Sequence, residues 1–140
     1  IDGCPAPVVS WIQGYCLGGG CGLAACADVA IADESATFGF SEVKLGIIPA
    51  VISPFVLAKI GPGAARRYVL TGERFGAEVA LRIGLVSEIA SSADHVVAER
   101  YGAWLHVDGA FGLWAAVSEG HRHLTRGIEG ADSWAVDGAA

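Results

Sequence analysis

Lysine is scarce in this chain, with none before Lys44 and none after Lys59. A P-loop closes on Gly-Lys-Ser/Thr, so the glycine-rich stretch upstream of Lys44 is not one. Methionine is absent, and no basic segment with a cleavage site opens the chain at Ile1. The 140 residues are therefore expected to be a piece of a longer protein. Charge is thin as well, at 17% against 53% apolar residues, and the net charge is -6. That balance is too apolar for a disordered chain and opposes a nucleic-acid partner. Long hydrophobic runs are missing too. The uncharged stretch between Lys44 and Lys59 is broken by Pro49 and Pro54 and falls short of the ~20 residues of a membrane span. It reads as buried core, and no membrane partner is expected. Cys4, Cys16, Cys21 and Cys26 match no zinc spacing. They read as small buried residues of a reducing, cytoplasmic compartment, with neither metal nor disulfide.

What is present is an α/β pattern up to about residue 97. "APVVSWIQG" reads as a buried strand, "CGLAACADV" as a short helix, and "VAIADESATFGF" as a second extended segment turning at Asp33 to Ser35. In "ISPFVLAKIG", Ser53 is the expected N-cap, Pro54 the first helical residue and Gly61 the stop. "GAARRYVLTG" and "GAEVALRIGLV" read as two further short helices closed by glycine.

Three consecutive glycines, Gly18, Gly19 and Gly20, stand where the first strand region hands over to the first helix. Each permits positive φ and leaves its N–H uncovered, beside the positive end of a helix dipole. Such a corner suits an anion or an oxyanion. "GCGLAA", Gly20 to Ala25, also fits the dinucleotide pattern G-x-G-x-x-A. Its helix is short for a Rossmann crossover, however, and no ribose-reading residue stands at the next strand end. A tight turn kept only for packing explains one or two glycines better than three.

The run "GYCLGGGCGLAACADVAIADESATFGFSEVKLGIIPAVISPFVLAKIG", with "LTGERFGAEVALRIGLVSE" after it, resembles the enoyl-CoA hydratase/isomerase (crotonase) family. Within that family it is similar to the methylglutaconyl-type hydratases, from about Pro7 to Glu88. The resemblance implies a partial ββα spiral that acts on acyl-CoA thioesters and assembles as trimers or trimer pairs. It implies that Gly19 gives a backbone N–H to the thioester oxyanion and that Glu42, in "FSEVKLG", moves protons. It also sets Tyr15, Leu17, Gly18, Gly22 and Ser41 against the substrate, with no cofactor beyond the coenzyme A that the substrate carries. Without the resemblance, Glu42 reads equally well as a solvated loop glutamate or a partner for Lys44.

Two departures bear on the chemistry. Two-glutamate hydratases carry their other carboxylate at the position of Gly22, so Glu42 would serve as both base and acid, or the reaction is not simple hydration. The family's upstream strand, with the second oxyanion N–H and the adenine grip, would lie before Ile1.

From about Glu99 onward, "ERYGAWLHVDGAFGLWAAVSEGHRHLTRGIEGADSWAVDG" is similar instead to a pyridoxal-phosphate-dependent decarboxylase of the aromatic or glutamate type. That resemblance implies Asp108 as partner of the pyridine nitrogen in a short α/β tail, segment 98–140. No lysine follows to form the imine, so the chain is not expected to hold pyridoxal phosphate. Plainer roles serve the same residues: His106 with Asp108 as a strand-end pair, His121 and His123 as a helix edge, Trp104, Trp114 and Trp134 as packing anchors. Two fragments joined in one chain are expected. The leading reading is an acyl-CoA lyase; a catalytically incomplete interaction module and a decarboxylase fragment are the alternatives.

Overall fold

A computed structural model describes residues 1–91, 106–108, 119–120 and 133–135. The chain divides into two compact units, Ile1–Asp94 and His95–Ala140. In the first unit, strand β1 (Val9–Ile12) is followed by β2 (Tyr15–Leu17) and helix α1 (Gly19–Cys26). Strands β3 (Val29–Asp33) and β4 (Thr37–Gly39) follow, then a 3-10 turn (Glu42–Leu45) and helix α2 (Ser53–Thr71). The unit closes with β5 (Phe75–Gly76), α3 (Ala77–Arg82) and β6 (Glu88–Ala90).

The order repeats as strand, strand, helix. The strands sort into two sheets, β1-β3-β6 and β2-β4-β5, so β1-β2-α1 and β3-β4-α2 each send their first strand to one sheet and their second to the other, whereas the closing part runs β5-α3-β6. The changeover after β3 is a turn held by Asp33, whose Oδ1 accepts from the backbone N–H of Ser35 at 2.8 Å and from its hydroxyl. Ala36 N–H donates to the Asp33 carbonyl at 2.9 Å. An aspartate that bonds two residues ahead is the means of that turn, at the place read from the sequence.

Small residues let the layers close. Ala30 and Ala32 of β3 and Ala24 and Ala25 of α1 are buried, as parallel strands covered on both faces require. The large core side chains gather around Phe75, which stacks on Phe38 with ring centroids 5.8 Å apart and meets Tyr68 at 4.4 Å. Lys59 Nζ donates to the Ala27 carbonyl at 2.7 Å, placing a cation at the C-terminal end of α1.

Several sequence expectations are corrected. Ser53 does not cap α2: Ile52 is the capping residue and already has a helical backbone, so the serine lies one residue inside. Its hydroxyl instead bonds back to the Pro49 carbonyl at 2.6 Å. Gly61, by contrast, does interrupt the helix as expected. The backbone leaves helical geometry there, at φ 73 and ψ 163, and a second helical segment begins at Pro62, so α2 is the two expected helices joined across a kink. The first helix starts at Gly19, taking in Gly19 and Gly20. Of the cysteines, Cys16 and Cys21 are buried, Cys26 is half-buried and Cys4 is exposed; all four are free.

In the second unit, β7 (His106–Asp108) pairs parallel with β8 (Ser133–Ala135), Asp108 opposite Ala135. Asp108 and Trp134 thus lie on described strands, whereas Trp104, Trp114, His121 and His123 lie outside the described residues. Among the described residues no helix is long and apolar enough to cross a membrane.

Candidate active site

The site begins with a strand pairing. β2 and β4 run parallel, with Leu17 opposite Gly39, so both chains leave the sheet at the same end. From that end Gly18 enters α1 and Phe40 leads to Ser41 and Glu42. Gly18 N–H donates to the Gly39 carbonyl at 2.9 Å, tying the two exits together.

Gly18 takes φ 52 and ψ -116, a combination that L-residues with a side chain avoid. Gly19 and Gly20 differ from expectation, since both have helical backbone and Gly18 alone of the three has positive φ. Their glycine character serves access. A β-carbon on Gly19 would meet nothing within 4 Å, and one on Gly20 would touch Cys16 Sγ at 3.6 Å. The first N–H groups of a helix have no carbonyl one turn earlier to accept them, so Gly19 presents its N–H on an open face.

The floor beneath is held by sulfur. Cys21 Sγ donates to the Cys16 carbonyl at 3.0 Å and lies 3.6 Å from the Gly39 carbonyl. The Cys16 thiol is pushed far above its ordinary range, first by its hydrogen bond with Cys21 and then by burial, so it stays neutral packing and no nucleophile.

Glu42 begins the 3-10 turn, which Gly46 ends in the left-handed region at φ 70. The Glu42 carbonyl accepts from Ile47 N–H at 3.2 Å, fixing the loop behind it. Its side chain points back at α1: Oε1 lies 3.2 Å from where a β-carbon on Gly18 would stand, and Ser41 Oγ lies 3.5 Å from that point. Oε2 is buried and has no hydrogen-bond partner. A buried carboxylate oxygen without a donor is costly unless a ligand or water completes it. Glu42 does not pair with Lys44; among the described residues the ion pair is Arg67–Glu73.

The structure therefore brings together Gly18, Gly19, Ser41 and Glu42. Leu17 packs toward Gly39, with Cδ2 3.3 Å from the latter's β-carbon position. Tyr15 is exposed and lies under the Arg74 guanidinium, 5.4 Å from the ring centroid. Gly22 faces Ile52, whose Cγ2 lies 2.2 Å from the point a β-carbon would occupy. Sequence reasoning missed Ile52, and with it an apolar cavity of about 330 Å³ lined by Phe40, Pro49, Ile52, Val56, Leu57 and Val69. The one signal for it was a glycine inside a helix with no turn to make. Asp108 belongs to the other unit. Among the described residues no group of His, Cys, Asp and Glu could hold a metal ion.

Residues 1–106 match the family model for enoyl-CoA hydratase/isomerase, and the chain belongs to that family. It is similar to a crotonyl-CoA hydratase of Syntrophomonas wolfei, 41% identical over 90 residues, which cover 64% of this chain and 35% of the relative. A carnitinyl-CoA dehydratase of Escherichia coli K12 is 43% identical over 89 residues, 63% of this chain and 34% of that protein. A crystal structure of an enoyl-CoA hydratase from Shewanella pealeana superposes with a TM-score of 0.67 at 47% identity, covering 71% of this chain and 37% of that one. The chain thus spans about a third of the length of these relatives. The two-strand-and-helix repeat is a partial crotonase fold.

Proposed function

We propose that this chain carries part of the active site of an acyl-CoA lyase that adds water across the double bond of an enoyl-CoA thioester. The observation that carries the reading is the meeting of Glu42 with the N-terminus of α1, a proton-transfer group beside an open backbone donor. Gly19 N–H donates to the thioester oxygen as negative charge gathers there, and a backbone donor aimed in advance needs no rearrangement during reaction. Glu42 accepts a proton from water as the water oxygen bonds to the β-carbon of the enoyl group. The electron pair of the double bond moves toward the thioester. The resulting carboxylic acid then returns a proton to the α-carbon, so one glutamate acts as base and then acid and ends unchanged. A lone carboxylate fits Gly22, where the packing against Ile52 leaves no room for a second acidic side chain.

The relatives named for crotonyl-CoA hydration and carnitinyl-CoA dehydration support a coenzyme A thioester as substrate. The test follows loss of the conjugated enoyl absorbance of crotonyl-CoA in the active form of the protein. Absence of hydration with a range of enoyl thioesters would remove the reading.

A further inference from the structure

Ile52 stands between two spaces. On one side its Cγ2 and Cβ atoms press on Gly22, lying 2.2 and 2.7 Å from the position of an added β-carbon. On another it lines the apolar cavity of about 330 Å³ with Phe40, Pro49, Val56 and Leu57. Gly22 follows Gly18 by one helical turn and donates its N–H to the Gly18 carbonyl at 3.3 Å. Gly18 is also the glycine that receives Glu42. Glu42 thus meets Gly18 just before α1 and Ile52 meets Gly22 in its first turn, and the isoleucine also lines the cavity.

The isoleucine is held firmly in that place. It is buried, it caps α2, and its carbonyl accepts from Val56 N–H at 3.0 Å. Branching at the β-carbon restricts its side-chain rotation, so it does not swing aside as a longer straight chain would.

We propose that Ile52 is a specificity-determining residue: it closes the apolar cavity off from the glycine corner and confines the acyl group beside Glu42 to short chains. The proposal rests on the acyl-CoA reading above. A short acyl group ends before the isoleucine. A longer hydrocarbon tail would find apolar lining of the right chemistry in the cavity, but the branched side chain obstructs the way in.

The test is calorimetric titration of the active form of the protein with butyryl-CoA and octanoyl-CoA, for the native protein and for Ile52→Ala and Ile52→Val. The native chain is expected to favour butyryl-CoA. In Ile52→Ala the affinity ratio should move toward octanoyl-CoA by at least about tenfold, the lower end of what one methylene is worth in an apolar pocket. Ile52→Val should move it in the same direction by less. A merely structural role would weaken both thioesters together and leave the ratio alone. An unchanged ratio in a folded Ile52→Ala that still binds butyryl-CoA overturns the gate and leaves the acyl-CoA reading standing. Failure of the native chain to bind either thioester overturns the reading and the gate with it. If Ile52→Ala unfolds, the ratio in Ile52→Val decides.

Discussion

Glu42 reaches Gly18 so closely that its Oε1 stands 3.2 Å from the position a β-carbon would take there. The approach needs a glycine on the helix side and a tight turn on the carboxylate side, and Gly46 at φ 70 closes that turn. The other carboxylate oxygen is left buried without a donor, an arrangement that costs stability unless something bound at the corner completes it.

Replacing that carboxylate by its amide tests its role directly. Glu42→Gln keeps the size and much of the hydrogen-bonding reach but cannot take and return a proton. Enoyl-CoA hydration by the active protein is expected to fall by about 10² to 10⁴ in turnover, with the melting curve little changed. Turnover near that of the native protein would rule out Glu42 as the acid/base.

The glycine corner separates conformation from access. Gly18→Ala forces a side chain into φ 52 and ψ -116 and toward Glu42 Oε1. Its expected cost is about 1–3 kcal/mol, that of a non-glycine residue held in such a region. Gly19→Ala meets open space in a helical backbone, so its stability should be unchanged or slightly raised. Thermal melts of the two variants side by side check the contrast. Equal destabilisation would show that the strain does not reside at Gly18.

A third expectation concerns pH. Arg67 Nε donates to Glu73 Oε1 at 2.7 Å, and this bond holds the Glu73 carboxyl below the usual glutamate range and Arg67 above its own. Both side chains are exposed, so the effect is small and weakened by salt. Because the folded value of Glu73 is depressed, its contribution is present above the unfolded glutamate value and disappears as pH falls through the folded one. The Tm difference between native protein and Glu73→Gln should shrink on acidification and with added salt. A difference that widened at low pH would contradict the sign argued here.

Local signals were legible and distant ones were not. The turn at Asp33 could be read because aspartate bonds its own backbone two residues on, and β1 because its apolar run is bounded by Pro7 and Gly14. Ser53 misled: serine before proline is an N-cap pattern, yet the loop from Pro49 had already turned into helical geometry. The glycine triplet was legible as the entry to α1 but not in detail, since spacing does not say which glycine takes positive φ. That Glu42 meets Gly18 follows from the pairing of Leu17 with Gly39, a parallel contact that no local pattern records. The contact of Gly22 with Ile52 is of the same non-local kind.

That last contact can be measured without any substrate. A β-carbon on Gly22 would fall 2.2 Å from Ile52 Cγ2 and 2.7 Å from its Cβ. Cβ sits next to the backbone and cannot move away alone, so Gly22→Ala must displace the start of α2. The expected cost is about 1–3 kcal/mol, as for overpacking elsewhere. Ile52→Ala alone loses a buried side chain and should cost about 2–5 kcal/mol. In the double variant the clash with Cγ2 is gone, while the β-carbon of residue 52 still lies 2.7 Å from the added methyl. Its destabilisation should fall short of the sum of the two by about 0.5–3 kcal/mol, the range seen for residues in contact. Denaturant unfolding of the four proteins gives that coupling, and strict additivity would mean that Gly22 and Ile52 do not compete for one volume.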